Sequence, residues 1–228
     1  MQQIALSSIE NSLIDEISSS RNEPKWLKEY RNSSLSIYQE LPHEVSPLYN
    51  KYTDAKRMNP EQVSLSINTD SSIPEFLTKR IEDVKNDVGI IQIGSSIHSV
   101  NIPENLRSSG LIISSINDAL KDNNELVEKI IKSSNSKEDK YTALNNAAFN
   151  SGIFVHIPKN LVIEEPIHLL SCLSNDGIST ISRNLIVAED NTKATIVQEL
   201  YSPETQTQQA YLELLNTKVG SNSNLDVT

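Results

Sequence analysis

The sequence predicts an α+β protein, with a helical α/β part over residues 1–150 followed by a β-rich part over residues 151–228. Two observations predict this order. In the first part, apolar residues recur every three or four positions, as they do on one face of a helix. After Gly152 they instead form short runs rich in Ile, Val and Leu, separated by polar turn clusters. Such runs are typical of an all-β sandwich, barrel or solenoid, and their spacing does not choose among these.

Composition excludes several classes of protein. The chain has 228 residues, with 30 acidic and 20 basic side chains and a net charge of −10. Nucleic-acid-binding proteins usually carry a basic face, so this charge argues against that class. The first twenty residues contain no Lys or Arg, and no apolar run approaches the ~20 residues of a membrane helix. We therefore expect a cytoplasmic protein without a signal peptide or a membrane span.

The N-terminal part opens with two predicted helices. Four apolar residues recur at four-residue intervals over roughly the first twenty residues and predict one helix face: Ala5, Ile9, Leu13 and Ile17. Pro24 marks the start of a second helix, which carries Trp26 and Tyr30 on its apolar stripe and stops at Pro42. We interpret this stripe as packing against the first helix, and docking onto a partner protein is the alternative.

The rest of the first part alternates irregular chain, short helices and short strands. Residues 42–72 contain three prolines and predict irregular chain with one short strand at 63–67. A helix is predicted over 74–87, with four apolar residues on one face: Phe76, Leu77, Ile81 and Val84. Strands are predicted at 89–94, 97–102 and 110–115, and helices at 117–121, 125–131 and 139–149. Asn124 is expected to cap the helix over 125–131.

Six β-type runs fill the second part. They lie at 153–158, 161–170, 181–189, 193–201, 209–219 and 224–228. Gly152 stops the preceding helix and permits a tight exit into the first run. Pro158 lacks the N–H group that a strand ladder needs, so we expect it to end that run. No exact repeat is visible in the sequence, so periodicity alone does not fix how the strands pair.

Few residues have the chemistry of a reactive site, and we predict no catalytic residue and no metal ligand. Cys172, the single cysteine, is interpreted as a small buried apolar residue, with a transient sulfur or iron ligand as the alternative. His156 and His168 could bind a soft metal together with Cys172, but we favour ordinary hydrogen-bonded or exposed histidines. None of the six glycines forms a phosphate-binding loop, so any ATP chemistry must come from a partner.

A set of positions between residues 110 and 170 forms a recognisable motif. It comprises 110–113, 118–120, Ala143-Leu144-Asn145, Ala147, Phe149, Gly152, Ile157-Pro158-Lys159 and 162–167. This motif resembles the SufB/SufD family of the SUF machinery for iron–sulfur cluster assembly. Weaker likeness extends to Trp26 and residues 51–53 upstream, and to 183–188 and 195–200 downstream.

The resemblance implies an N-terminal domain over residues 1–150 and a right-handed parallel β-helix that begins at residue 151 and is incomplete at residue 228. It also implies a non-catalytic scaffold component of iron–sulfur cluster assembly, acting with a SufB-like paralogue and a SufC-type ATPase. No cofactor is assigned to this chain. An iron–sulfur cluster is expected only transiently, in the full complex, and no residue marks a site for the reduced flavin linked to such complexes. The alternative is a β-helix carbohydrate-active enzyme or binding module.

Two further expectations follow from the same resemblance. In SufB-like chains the strand matching 194–200 ends in Glu-Gly-Cys, and that cysteine is implicated in receiving sulfur. Here Glu199 is followed by Leu200 and Tyr201, which implies the SufD-like branch. Full family members run several hundred residues, whereas this sequence stops within an expected turn of the β-helix, so we expect either a fragment or a shortened variant. We therefore expect the last strand to pair with a second molecule, giving a homodimer through the end of the β-helix.

Overall fold

The computed structural model of the chain describes residues 4–5, 8–42, 62–65, 67, 70–204 and 206–228. The α-helices are α1 (Asn11–Ser20), α2 (Lys25–Glu40), α3 (Thr78–Val84), α4 (Glu104–Ser108), α5 (Ile116–Asp122), α6 (Asn124–Ser133) and α7 (Lys140–Ala148). The strands are β1 (Ile4–Ala5), β2 (Ser64–Leu65), β3 (Gly89–Ile93), β4 (Ser96–Asn101), β5 (Ile112–Ser115), β6 (Ile153–Ile157), β7 (Ile167–Cys172), β8 (Thr180–Ala188), β9 (Lys193–Tyr201), β10 (Tyr211–Val219) and β11 (Asn224–Val227). A short 3₁₀ helix, Glu75–Leu77, leads into α3. Among these helices, none is both long and apolar enough to cross a lipid bilayer.

The strands from β6 to β11 alternate between two sheets. The first sheet has the order β10-β8-β6-β5 and the second has the order β11-β9-β7-β3-β4. Each strand from β8 onward pairs in parallel with the strand two positions earlier in the chain, so the backbone winds as a coil with two strands per turn. We call strands β6 to β11 the coil. The predicted α+β class is confirmed, and each of the six predicted β-type runs overlaps one coil strand.

The N-terminal part supplies the first strands of both sheets. In the first sheet β5 pairs with β6 in antiparallel fashion, and in the second sheet β3 pairs in parallel with β7. Gly152 lies so close to β8 that a Cβ atom there would sit 2.0 Å from the carbonyl oxygen of Arg183. Only glycine fits this approach, which agrees with the tight exit that the sequence predicts. The division into domains at residue 150 stays a prediction, and sheet pairing continues across it.

A ladder of asparagines sets the register between turns of the coil. Asn160, Asn191 and Asn222 follow one another at 31-residue intervals, and each adopts a positive φ, between 58° and 66°. The Asn191 amide donates to Asn160 Oδ1 at 2.9 Å, and the Asn222 amide donates to Asn191 Oδ1 at the same distance. Asparagine tolerates the left-handed conformation better than most residues. The ladder is a structural repeat that the sequence analysis missed, because little beyond this asparagine recurs.

The apolar residues form three clusters, which the two sheets separate. One fills the space between the sheets and includes Ile90, Ile157 and Ile196. A second lies between the outer face of the first sheet and helices α1, α2, α5, α6 and α7. The third lies between the outer face of the second sheet and α3, and it contains Cys172. The helices therefore cover one outer face of each sheet.

The buried stripe of α2 differs from the one expected. Trp26 and Tyr30 are half-buried, whereas Leu27, Arg31 and Leu35 are buried almost completely. The guanidinium of Arg31 is fully buried and bonds both carboxylate oxygens of Glu23, at 2.7 and 2.9 Å. It also donates to the carbonyl of Ala147 at 3.1 Å and lies 3.7 Å from the centre of the Phe149 ring. Apolar periodicity cannot predict an arginine on the core-facing side of α2, because it counts only apolar residues as buried.

A second buried arginine has no acidic partner among the residues that the structure describes. Arg183, on β8, is fully buried and donates from Nη1 to Asn146 Oδ1. Its Nε and Nη2 atoms have no hydrogen-bond partner in the same set. Burial, together with the nearby charge of Arg31, lowers the pKa of Arg183 to about 10. Arg183 therefore remains a cation in the core at neutral pH, held by a single amide.

Several predicted boundaries are wrong. The first helix begins at Asn11, because Ala5 belongs to β1 and pairs with Ser64. Phe76 does not share the buried face of Leu77, and its side chain is 52% exposed, because the chain there is a 3₁₀ helix with a different period. The N-cap of α6 is Asn123 and not Asn124. Residues 43–61, including the weak likeness at 51–53, lie outside the described part of the chain.

The two buried arginines give opposite predictions for stability. Arg31→Met leaves the Glu23 carboxylate buried without its cation, so we expect the free energy of unfolding to fall by about 3–5 kcal/mol. Arg183→Met removes a buried charge without a carboxylate partner, so we expect no loss, or a gain of about 1–2 kcal/mol. Urea unfolding followed by circular dichroism measures both variants. An equal loss in the two would contradict this assignment of their charges.

Candidate functional site

A polar network surrounds Glu199 on the outer face of the second sheet. Alternation along β9 places Glu199 and Tyr201 on the same face, beside Arg80 of α3. Arg80 bonds both carboxylate oxygens, from Nε at 2.9 Å and from Nη2 at 2.5 Å. The Tyr201 hydroxyl donates to Oε2 at 2.7 Å, and His168 Nδ1 on β7 lies 3.4 Å from Oε1. Three chain segments therefore meet at one carboxylate.

The electrostatics of this network fix the charge of Glu199. The hydrogen bonds from Arg80 lower the pKa of the carboxyl to about 2 against the opposing effect of burial, and Tyr201 and His168 act in the same direction as Arg80. The carboxylate in turn raises the pKa of Arg80. An acid held ionised at neutral pH by a two-pronged arginine cannot serve as a proton donor there. The arrangement is that of an anchor joining α3 to the sheet.

Cys172 lies next to this network but faces the apolar cluster. It pairs in register with Tyr201 across β7 and β9, and only 3% of its surface is exposed. Burial raises the pKa of the thiol to about 11. At neutral pH the sulfur is therefore a protonated thiol, which is a weak nucleophile and a weak metal ligand. Its burial agrees with the interpretation of Cys172 as a small apolar residue.

The structure separates the residues that the sequence analysis considered together as a soft-metal set. His156 lies on β6 in the first sheet, where Nε2 is 3.0 Å from Glu189 Oε1. His168 and Cys172 lie on β7 in the second sheet, and His168 sits between Glu199 and Asp87, whose Oδ2 is 3.8 Å from Nε2. Within the described ranges no group of three or more His, Cys, Asp or Glu side chains could hold a metal ion. The absence of a metal site stays a prediction.

A second polar network lies between the sheets and was missed by the sequence analysis. Glu213 on β10 accepts a hydrogen bond from the Tyr211 hydroxyl at 2.8 Å and one from Gln198 Nε2 at 2.9 Å. Burial raises the pKa of Tyr211, and the neighbouring Ser171 and Ser182 side chains lower it. Alternation along β10 could have indicated this site, because Tyr211 and Glu213 share the inward face with Leu215. As at Glu199, fixed donors hold the carboxylate.

These observations define a class of protein built on a parallel two-sheet coil, with helices packed against the outer face of each sheet. Residues 17–169 match the protein family described as the SufBD protein N-terminal region. The chain belongs to this SufB/SufD family, as the motif between residues 110 and 170 predicts.

Individual relatives support the same assignment. The chain is 25% identical over 209 residues to an iron–sulfur cluster assembly SufBD family protein of Staphylococcus aureus strain USA300, an alignment covering 84% of this chain and 44% of that protein. It is 27% identical over 201 residues to the iron–sulfur cluster assembly protein SufD of Bacillus subtilis strain 168, covering 86% and 46%. The chain therefore spans about half the length of these relatives. Its similarity to a SufD agrees with the branch that Tyr201 predicts.

The Glu199 network predicts a specific loss of stability in acid. The carboxyl has a folded pKa of about 2, below its ordinary value of 4.5, so its stabilising effect is complete above about pH 5 and is lost as the pH falls from 4.5 towards 2. We expect Glu199→Gln to lower the free energy of unfolding at pH 7 by about 1.5–3 kcal/mol. The difference from the native chain should shrink between pH 5 and pH 3, measured by urea unfolding at each pH.

The control for this experiment is Glu164→Gln. Glu164 is an exposed acid whose carboxylate lies 3.7 Å from the Lys193 ammonium, and its side chain is 77% exposed. Its replacement should change stability little, and equally at each pH, because exposed ion pairs contribute little. A pH-independent loss in Glu199→Gln would show that the carboxylate acts through packing and not through its charge.

Proposed function

We propose that this chain is a SufD-like, non-catalytic scaffold component of SUF iron–sulfur cluster assembly. The observation that carries the proposal is the family match over residues 17–169, joined by the similarity to a SufD over 201 residues. The chemistry of the described residues supports it. Glu199 and Glu213 are held by fixed donors, and the Cys172 thiol is buried and protonated. Such a chain contributes surfaces and not reacting groups.

In this proposal the coil is the first part of a right-handed parallel β-helix. Residues 1–150 form the N-terminal domain, and residues 151–228 form the first turns of the helix. Two features support this architecture: the parallel pairing of alternate strands, and the ladder of Asn160, Asn191 and Asn222. Both repeat from one turn of the coil to the next, as they would in a β-helix. The N-terminal strands β3 and β5 act as the starting cap, since they cover the first edge of each sheet.

The proposed partners are a SufB-like paralogue and a SufC-type ATPase. The iron–sulfur cluster is cargo of the complete assembly, carried transiently, and the ATPase supplies the nucleotide chemistry. The absence of a glycine-rich phosphate loop from the sequence supports this division of labour. The cytoplasm remains the predicted location.

A carbohydrate-active β-helix protein is not favoured. Sugar-binding surfaces commonly present aromatic side chains to solvent, and the exposed large apolar residues of the coil strands are the aliphatic Leu200, Val219 and Val227. Phe76 is exposed but lies on the 3₁₀ helix, outside the coil. Hydrolysis of a glycosidic bond needs two available carboxyl groups, and the acids of the two networks already accept hydrogen bonds from neighbouring side chains.

Affinity purification from the native cells tests the proposed role. The native protein is captured under anaerobic conditions, and the captured proteins are identified by mass spectrometry. We expect a SufB-like chain and an ABC-type ATPase in stoichiometric amounts, and reciprocal capture through the ATPase should recover this chain. The purified chain alone should show no ATP hydrolysis. Recovery of the chain without either partner, together with retention on a polysaccharide column, would favour the carbohydrate-binding alternative.

We also propose that the end strands β10 and β11 of the two sheets pair with a second copy of this chain. Within the described chain, β10 and β11 are end strands with one neighbour each, so each leaves a row of backbone groups for a further strand. Val219 and Val227 on these strands are 48% and 38% exposed. Pairing between two copies would satisfy the backbone groups and cover both side chains.

Sedimentation velocity tests this contact. The native chain is expected to sediment as a dimer at high micromolar concentration, and Val227→Lys is expected to shift it to a monomer, because a buried lysine is costly. Val162→Lys is the matched control, since Val162 is 49% exposed and lies outside the end strands. A native chain that stays monomeric at high concentration, or an equal effect of the two lysines, would contradict the dimer.

A further inference from the structure

A polar cleft lies in the helical layer, on the side of the first sheet away from the coil interior. It has a volume of about 300 Å³ and opens between the α1–α2 turn and the facing ends of α5 and α6. Its polar lining residues are Arg21, Asn22, Glu23, Asn117, Lys121 and Asn124. This volume is at the lower end of the range for small-molecule sites. No residue of the Glu199 or Glu213 network lines it.

Arg21 gives the cleft an unneutralised positive charge. Its guanidinium donates to Asn117 Oδ1 at 3.4 Å and to the backbone carbonyl of Asn150, and both acceptors are neutral. Burial above all lowers the pKa of Arg21 to about 10, so the group stays cationic at neutral pH. None of the ion pairs among the described residues includes Arg21. A desolvated guanidinium with neutral partners binds an anion more strongly than an exposed one does.

Glu23, the acid that lines the cleft, compensates Arg21 only in part: its charge raises the pKa of Arg21, but the charge of Arg31 lowers that pKa by more. The carboxylate of Glu23 is buried and accepts two hydrogen bonds from Arg31 and one from Ser18. Its charge is therefore already matched by Arg31. The local charge of the cleft remains positive, in a chain whose net charge is −10.

Lys121 adds a second, mobile cation at the rim. Its side chain is 66% exposed, and its ammonium lies 3.4 Å from the Asp118 carboxylate on the same helix. Exposed pairs of this kind hold weakly, so the ammonium can turn towards an anion in the cleft at little cost. The side-chain amides of Asn22 and Asn117 offer further N–H groups from two different segments.

We infer that this cleft binds the phosphate group of a small molecule, with Arg21 at its base and Lys121 at its rim. Donors from the α1–α2 turn and from α5 surround the volume, which suits the tetrahedral oxygens of phosphate better than a planar carboxylate. The guanidinium N–H groups that Asn117 and Asn150 leave unused can donate to phosphate oxygens, and the ammonium acts as a point charge on another oxygen. The site goes beyond the proposed scaffold role and does not depend on it.

The chain contains its own reporter for binding. Trp26 is the single tryptophan, and its indole Nε1 donates to Asn124 Oδ1 at 3.0 Å. Because Asn124 lines the cleft, an anion that moves this amide changes the surroundings of the indole. The experiment titrates the full chain with inorganic phosphate at constant ionic strength, and follows tryptophan fluorescence and, independently, the heat of binding by calorimetry.

We expect a saturable signal with phosphate and a much weaker one with acetate. Lys121→Gln should raise the dissociation constant about tenfold, because it removes one charged contact. Arg21→Lys, which keeps the charge but loses the fork, should also weaken binding. Lys85→Gln is the matched control, since that exposed lysine lies on the opposite side of the sheets, beside α3, and should leave the dissociation constant unchanged.

Three results would overturn the inference. The first is the absence of a saturable signal in both fluorescence and calorimetry. The second is acetate binding as tightly as phosphate, which would make the cleft a general anion site. The third is an equal effect of Lys121→Gln and Lys85→Gln, which would reduce the binding to the overall charge of the chain. Lys121 is exposed, and Asp118 is its ion-pair partner among the described residues, so its replacement should not prevent folding.

Discussion

Parallel pairing between successive turns of the coil is the constraint on which the rest of this structure depends. Each strand from β8 onward takes its position from the strand two places earlier, 31 residues back in the first sheet. A sheet built in this way needs a first strand that is already in place, and β5 and β3 of the N-terminal part supply one for each sheet. The N-terminal part is therefore the template on which the coil begins, as the caps of repeat proteins are.

The helices on the first sheet bury its apolar outer face, which the strands of the coil alone would leave exposed. The outer face of the first sheet carries Ile181, Leu185 and Val187, which must be covered. Helices α7 and α5 pack against this face, and α2 packs on α7. This cover is not purely apolar. Arg31 ties α2 to the α1–α2 turn through Glu23 and to α7 through the carbonyl of Ala147, so one buried ion pair fixes the position of three segments. Buried polar groups of this kind specify a unique arrangement more than they add stability.

Local signals in the sequence predicted most of the secondary structure. Contacts between residues far apart in the chain could not be predicted in this way. The start of α7 was predictable because the Asp139 side chain accepts from the backbone N–H groups of Tyr141 and Thr142, an arrangement encoded within four residues. The Glu199 network was not, because Arg80 lies 119 residues away from Glu199 in the chain. The burial of Arg31 was missed for a different reason: a search for apolar periodicity assigns every charged residue to the exposed face of a helix. The ladder of asparagines was hidden because a repeat carried by one residue in 31 has no statistical weight in a single sequence.

The chemistry around β9 bears on the proposed scaffold role. At the position where the SufB-like pattern has a sulfur-receiving cysteine, this chain has Tyr201, whose hydroxyl bonds Glu199 while its ring packs against the apolar cluster under α3. The thiol nearest to that position, Cys172, is one strand away and buried, with its pKa raised to about 11. Tyr201 is therefore part of the anchor that joins α3 to the second sheet. In the proposed assembly, reactivity lies with the partner, and this chain supplies a rigid surface built on the coil.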